Sequence, residues 1–265
     1  MKFHVSSLPT WLIFVLTFII GILVAEAGSR LTPEKKPKGT GEKEESAISL
    51  VGAMLGLLAF ILGFTFSITS SRFSERKTII VRQAQLISTC YLRAGYLPEV
   101  QKTETRKLLA NYTTLLLETP AAVDADMNVA KMEAIQMKVW QLAVSLTGEN
   151  MDAELRSLYV GSVNDVLEIF SKRKTIVLVF RVPSAIWVSL LLLYVLSMFV
   201  VGLEIKSRKS RRKINILVMA AAFAMIVSLI VEMDLATKGS RFAISQKPLM
   251  DVQKMIKEDS MQAVK

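Results

Sequence analysis

Of 265 residues, one is cysteine, Cys90, and one is histidine, His4. A single thiol excludes an intrachain disulfide framework, and one residue of each kind excludes a Cys/His metal cluster of the usual spacing. Glycine-rich phosphate loops, an HExxH helix and a paired catalytic carboxylate motif are absent from the sequence. The Ser-x-x-Lys at Ser74 and Lys77 recurs at Ser210 and Lys213 with no oxyanion partner beside it, which reads as chance recurrence. Neither an enzyme nor a cofactor is expected. The net charge is +10, yet the Lys and Arg residues stand beside apolar segments and lack the interleaved aromatics that stack bases. Lipid headgroups, and not nucleic acid, are the expected partners of that charge. Helix breakers are scarce in one place above all, since neither Gly nor Pro interrupts the chain between Gly63 and Gly95.

Hydrophobic residues make up 52% of the chain, and four stretches carry no charge: 11–25, 48–68, 185–203 and 214–231. Each approaches the roughly 20 residues that span hydrocarbon, so the expected class is an all-α, multi-pass integral membrane protein of four transmembrane helices in a plasma or inner membrane. The organisation read from these runs is a first span at 1–27, a flexible charged loop at 28–47, a second span at 48–71 and a helical extramembrane domain at 72–182. A third span at 183–204, a basic loop at 205–213, a fourth span at 214–233 and a C-terminal tail at 234–265 follow. The first span ends in Ala25-Glu26-Ala27, which is also the form of a signal-peptidase site, so a cleaved signal peptide is the alternative there. Loop 28–47 is Pro- and Gly-containing, mixed in charge and without apolar periodicity.

The middle domain has helical periodicity almost throughout. Apolar residues recur at Ile80, Ala84, Ile87 and Tyr91, then at Leu108, Tyr112 and Leu115. They continue at Met132, Ile135, Val139, Leu142 and Leu146, and at Leu155, Leu158, Val166 and Phe170. Four amphipathic helices follow, with stops at Gly95 and Pro98, at Thr119-Pro120, and at Gly148-Glu149-Asn150. Because no breaker separates the second span from the first of these helices, residues 48–93 are expected to form one rod of about 65 to 70 Å at 1.5 Å per residue.

On that rod Gly52 and Gly56 form a GxxxG, with Gly63 a heptad later, which suits close approach by another helix. Phe60, Phe64 and Ile68 form a bulky apolar row, followed by the hydroxyls of Thr65, Ser67, Thr69, Ser70 and Ser71 and then by Arg72, Arg76 and Lys77. Around an axis of several copies, the row is a constriction that gates by dewetting, the hydroxyls are a polar lining, and the cations attract anions. The alternative is lipid contact with interfacial Arg and Lys snorkelling to the headgroups. Glu26, Glu204 and Glu232 sit at span ends and read as interfacial caps.

These residues also resemble a known family. The segment LLAFILGFTFSITSSRFSERKTIIVRQAQLISTCYLRAGYLPE is similar to the hallmark of the bestrophin-like, DUF4239 family of membrane proteins. The likeness is carried by residues 63–67, by Ser71-Arg72-Phe73, by Arg76-Lys77, and by Ala84, Ile87, Thr89, Tyr91, Leu92, Arg93, Ala94, Leu97 and Pro98. VPSAIW before the third span and MDLATKGSRFAISQKPLMDVQ after the fourth are similar too, through Asp234, Gly239, Ile244, Ser245, Pro248 and Leu249. The family often has an Asp-Leu-Asp-Arg-Pro run where this chain has Glu232-Met233-Asp234-Leu235-Ala236.

Bestrophins themselves, a more distant likeness, imply a homo-pentamer passing small anions, with Leu57, Phe60 and Phe64 as the neck. Asp234, in the family pattern and at the membrane face where Arg72 and Arg181 are candidate partners, is read as a residue of mixed structural and functional role. A non-conducting protein that senses or recruits a partner through its helical domain is the alternative. Positive charge on the two short loops favours placing them in the cytoplasm, whereas the resemblance favours the opposite orientation.

Overall fold

The computed structural model describes residues 9–31, 41–119, 125–178, 182–205, 212–235 and 242–262. Among them every regular element is helical. In chain order these are α1 (Thr10–Leu31), α2 (Gly41–Arg93), α3 (Glu99–Glu118), α4 (Ala125–Ser145), α5 (Ala153–Leu178), α6 (Ser184–Ile205), α7 (Arg212–Leu235) and α8 (Lys247–Gln262). Short 3₁₀ turns, Ala94–Tyr96 and Leu146–Gly148, close α2 and α4 at the glycine-containing stops read from the sequence. α3 begins immediately after Pro98, and α5 is capped by Asp152, whose Oδ1 accepts the N–H groups of Glu154 and Leu155 at 2.8 and 3.0 Å.

The second span and the helix that follows it are one element of 53 residues, as the lack of a breaker predicts. The expected loop at 28–47 is shorter than its composition suggests, because α1 continues to Leu31 and α2 already begins at Gly41. The tail at 234–265 contains a helix, α8, that the sequence reading did not assign. Its buried residues Leu249, Val252 and Ile256 lie at helical spacing behind Pro248, a short pattern that a charged tail conceals.

The chain divides into two compact units. The first comprises residues 1–73, 182–236 and 240–242, and the second 74–181, 237–239 and 243–265. The first contains four helices long and apolar enough to cross a membrane. There α1 packs along both α6 and α7, and the approach is close because the contacting positions lack side chains. A Cβ at Gly28 would strike the carbonyl of Phe199, and one at Gly202 would strike the carbonyl of Ala25. Gly21 likewise makes room for the Tyr194 hydroxyl, which donates to the carbonyl of Thr17 at 3.0 Å. The Ala25-Glu26-Ala27 run is helical, and Ala25 is fully buried.

The second unit has a core of Ile80, Ile87, Leu109, Tyr112, Val139, Leu146, Val163, Phe170 and their neighbours. A polar cluster crosses it. The amides of Gln83 and Gln136 donate to the Tyr112 hydroxyl at 3.0 and 3.1 Å, and Arg173 donates to the Gln83 carbonyl oxygen. These four side chains come from α2, α3, α4 and α5, so one buried phenol ties the unit together. Burial pushes the Tyr112 hydroxyl upward in pKa, and the group stays neutral at physiological pH. Burial also pulls the Arg173 guanidinium down from its ordinary value.

Candidate functional site

An unbroken helix of 3.6 residues per turn presents residues spaced three and four apart along one stripe. On α2 that stripe holds Leu57, Phe60, Phe64, Ser67 and Ser71, and all five are exposed on the chain. Phe60 is 68% exposed, Phe64 55% and Leu57 49%. About 21 Å of helix separates the first of these residues from the last at 1.5 Å rise each.

The opposite side of α2 is covered by its own unit. Leu58 and Leu62 join the core with Leu190, Tyr194 and Ile230. Thr65 and Thr69 are fully buried, and their hydroxyls donate back to the carbonyls of Ile61 and Thr65 at 2.7 and 2.8 Å. The hydroxyl series read from the sequence therefore divides by face. Thr65 and Thr69 are spent on their own helix, Ser67 and Ser71 lie on the open face, and Ser70 is half-buried at its margin. Ile68 is also half-buried, at the edge of the Phe60–Phe64 row.

Gly52, Gly56 and Gly63 lie on the exposed side, and among the described residues nothing occupies the space a Cβ would fill at any of them. Within the chain, then, close helix approach is the work of Gly21, Gly28 and Gly202, which the sequence reading did not single out. Glycine in a span is a common residue, and only what faces these three distinguishes them: backbone at Gly28 and Gly202, and the Tyr194 side chain at Gly21. The membrane-compatible window of α2 has 17% of its residues buried, against 33% for each of α1, α6 and α7. The second span is thus the one its own chain leaves most open.

Arg72 and Arg76 are half-buried, turned away from the Phe60–Ser67 stripe by helical geometry, whereas Lys77 is exposed. Among the described residues no acceptor meets the buried Nη1 of Arg72. Asp234 is buried near the end of α7, and its Oδ1 accepts the backbone N–H of Val182 at 3.4 Å, which ties α7 to the chain entering α6. Arg181 lies outside the described residues. Among the described residues no group of three or more His, Cys, Asp or Glu side chains is placed to hold a metal ion.

A search of curated protein sequences returns no match. Solved structures do match. A variant of a bacterial bestrophin homolog from Klebsiella pneumoniae superposes with a TM-score of 0.71 at 10% identity, covering 92% of this chain and 96% of that chain. A structure of the bacterial bestrophin homolog from the same organism, phased by Zn-SAD, gives 0.68 at 12% identity over 94% and 98%. At these identities the likeness is one of fold. The Bestrophin-like domain family, in contrast, is matched by sequence over residues 11–248, a stretch that takes in all four apolar helices and the helical unit between the second and third. The chain is accordingly an integral membrane protein and belongs to the Bestrophin-like domain family.

Proposed function

We propose that this protein is one subunit of a homo-oligomer that conducts small anions across a plasma or inner membrane along an axis lined by α2. The observation that carries the reading is the open face of α2, where Leu57, Phe60 and Phe64 are left bare by the chain's own packing. Copies arranged around an axis, five by analogy with bestrophins, enclose those side chains in a narrow apolar neck. A ring of phenylalanines at that depth excludes water when tight and admits a hydrated ion when it widens. Gly52, Gly56 and Gly63 leave space for a neighbouring α2 backbone to come close. Past the neck, Ser67, Ser70 and Ser71 offer hydroxyl donors to an anion that has shed part of its water. Arg72, Arg76 and Lys77 raise the local anion concentration through the positive potential they set up, without direct coordination. Asp234, through its bond to the Val182 N–H, holds the end of α7 to the chain entering α6.

Chloride release from liposomes containing the full-length protein tests this reading. The native protein is expected to conduct, and Phe60→Ala combined with Phe64→Ala is expected to raise the rate severalfold by removing the two rings. Absence of flux from both forms at verified incorporation sinks the conduction reading. It would leave a non-conducting membrane protein that engages a partner through its helical unit.

A further inference from the structure

α8 has a single apolar row, Leu249, Val252 and Ile256, buried in the core of the second unit. Its other side carries exposed Lys247, Asp251, Lys254, Lys257 and Glu258. It packs on α3, and its polar contacts to the rest of the unit run from Gln253 to Asp259. Gln253 donates to Thr114 Oγ1 at 3.1 Å, and Ser88 Oγ donates to the sulfur of Met255 at 3.4 Å. At the far end a single carboxylate oxygen, Oδ2 of Asp259, accepts the Tyr91 hydroxyl at 2.8 Å and Arg106 Nη1 at 2.9 Å. The Arg106 guanidinium lies over the Tyr91 ring, 4.8 Å from its centre. A Cβ at Gly95 would come within 3.1 Å of Arg106 Nη2, so the bare backbone there gives the guanidinium its room. Three helices, α2, α3 and α8, thus meet on one oxygen.

We propose that α8 is a latched strap, a helix that lifts from the second unit as one piece and is held shut by the Tyr91–Asp259–Arg106 clasp. Its attachment and its length both favour separate opening. It is preceded by residues 243–246, which lie outside any helix, so no described helix runs into it. At 16 residues it is also near the length at which an isolated helix is marginal in water, so its helicity depends on being seated. α5 supplies six buried side chains to the core, Tyr159, Val163 and Phe170 among them, and α4 packs Ile135 and Trp140 beside its buried Met132, Val139 and Ala143. They are committed to the global fold, whereas α8 belongs to the class of elements that open below it. Lifting it uncovers the apolar seat of Leu249, Val252 and Ile256 together with Tyr91 and Arg106, a surface with both greasy and cationic character. The proposal is independent of whether the protein conducts.

Hydrogen exchange measured by mass spectrometry on the full-length protein in liposomes provides the test. In the native protein, amides of 247–262 should exchange through one shared opening that depends less on denaturant than the openings of 125–178. Asp259→Asn, which weakens both clasp bonds, should speed exchange in 247–262 by on the order of tenfold, the loss expected for charge-assisted hydrogen bonds, and leave 125–178 unchanged. A common opening for α8, α4 and α5 in the native protein overturns the proposal whether or not the variant folds. So does an Asp259→Asn protein in which α8 exchange is unaltered or the whole unit accelerates together.

Discussion

The two units solve helix packing in different ways. In the membrane unit the decisive contacts are backbone against backbone, at Gly28 with Phe199 and Gly202 with Ala25. Hydroxyls there mostly bond within their own helix, as Thr65, Thr69 and Ser228 do. In the second unit the helices are joined by side chains that reach across, at Gln83, Tyr112, Gln136 and Arg173, and between Thr105 and Tyr159 at 3.0 Å. The difference follows from solvent. Lipid tails are as apolar as leucine, and helices in a bilayer gain little by burying apolar surface against one another; close backbone approach supplies the attraction. Water drives the second unit together through its apolar core. Polar side chains buried by that collapse must find partners or forfeit their hydration.

The comparison can be broken most forcefully at Gly202. Gly202→Val places two methyl groups where the Ala25 carbonyl already sits and is expected to destabilise the membrane unit by about 3 kcal/mol, the upper end for overpacking. Gly56→Val, on the open face of α2, should leave monomer stability within about 0.5 kcal/mol and act only on association between copies. Reversible unfolding in mixed micelles, paired with size measurement of the assembly, separates the two outcomes; equal destabilisation at both positions would remove the distinction between covered and open glycines.

Next in size is Tyr112→Phe. It strips the shared acceptor from the Gln83 and Gln136 amides and should lower stability by about 2 kcal/mol, the penalty for stranding buried polar groups. A thermal melt of the full-length protein followed at Trp140 of α4, partly buried against the same core, reads that loss. No change in the melt would mean that the cluster contributes little beyond packing.

Thr69→Val should have the smallest effect, below about 0.5 kcal/mol, because the lost hydroxyl bonds only to its own helix. A larger loss would indicate that this hydroxyl does more than back-bond. Cys90 is fully buried, and burial raises its thiol to about 12 in pKa, which leaves the native chain nearly silent to maleimide. A single cysteine placed at Ser210 in a Cys90→Ser background therefore reports the sidedness of the loop between α6 and α7. Labelling in intact cells would place that loop outside, and labelling only after lysis would place it inside.

The sequence by itself determined the continuity of α2, since 31 successive residues from Phe64 to Ala94 contain no Gly or Pro and helix propagation is favourable once begun. It also determined the four spans, the helical unit between the second and third, and most helix ends, because charge-free length, amphipathic spacing and Gly or Pro stops are local properties. It left open which side of α2 is covered, which glycines are in contact, and that α8 exists and docks. A span surrounded by apolar residues carries no mark of its inward face when lipid and protein are equally apolar. Phe60 and Leu58 are alike in character, yet one is bare and the other fully covered. That choice belongs to the tertiary structure, where Leu58 and Leu62 pack with Leu190 and Tyr194 of α6 and Ile230 of α7, and the far side of α2 remains available to another molecule.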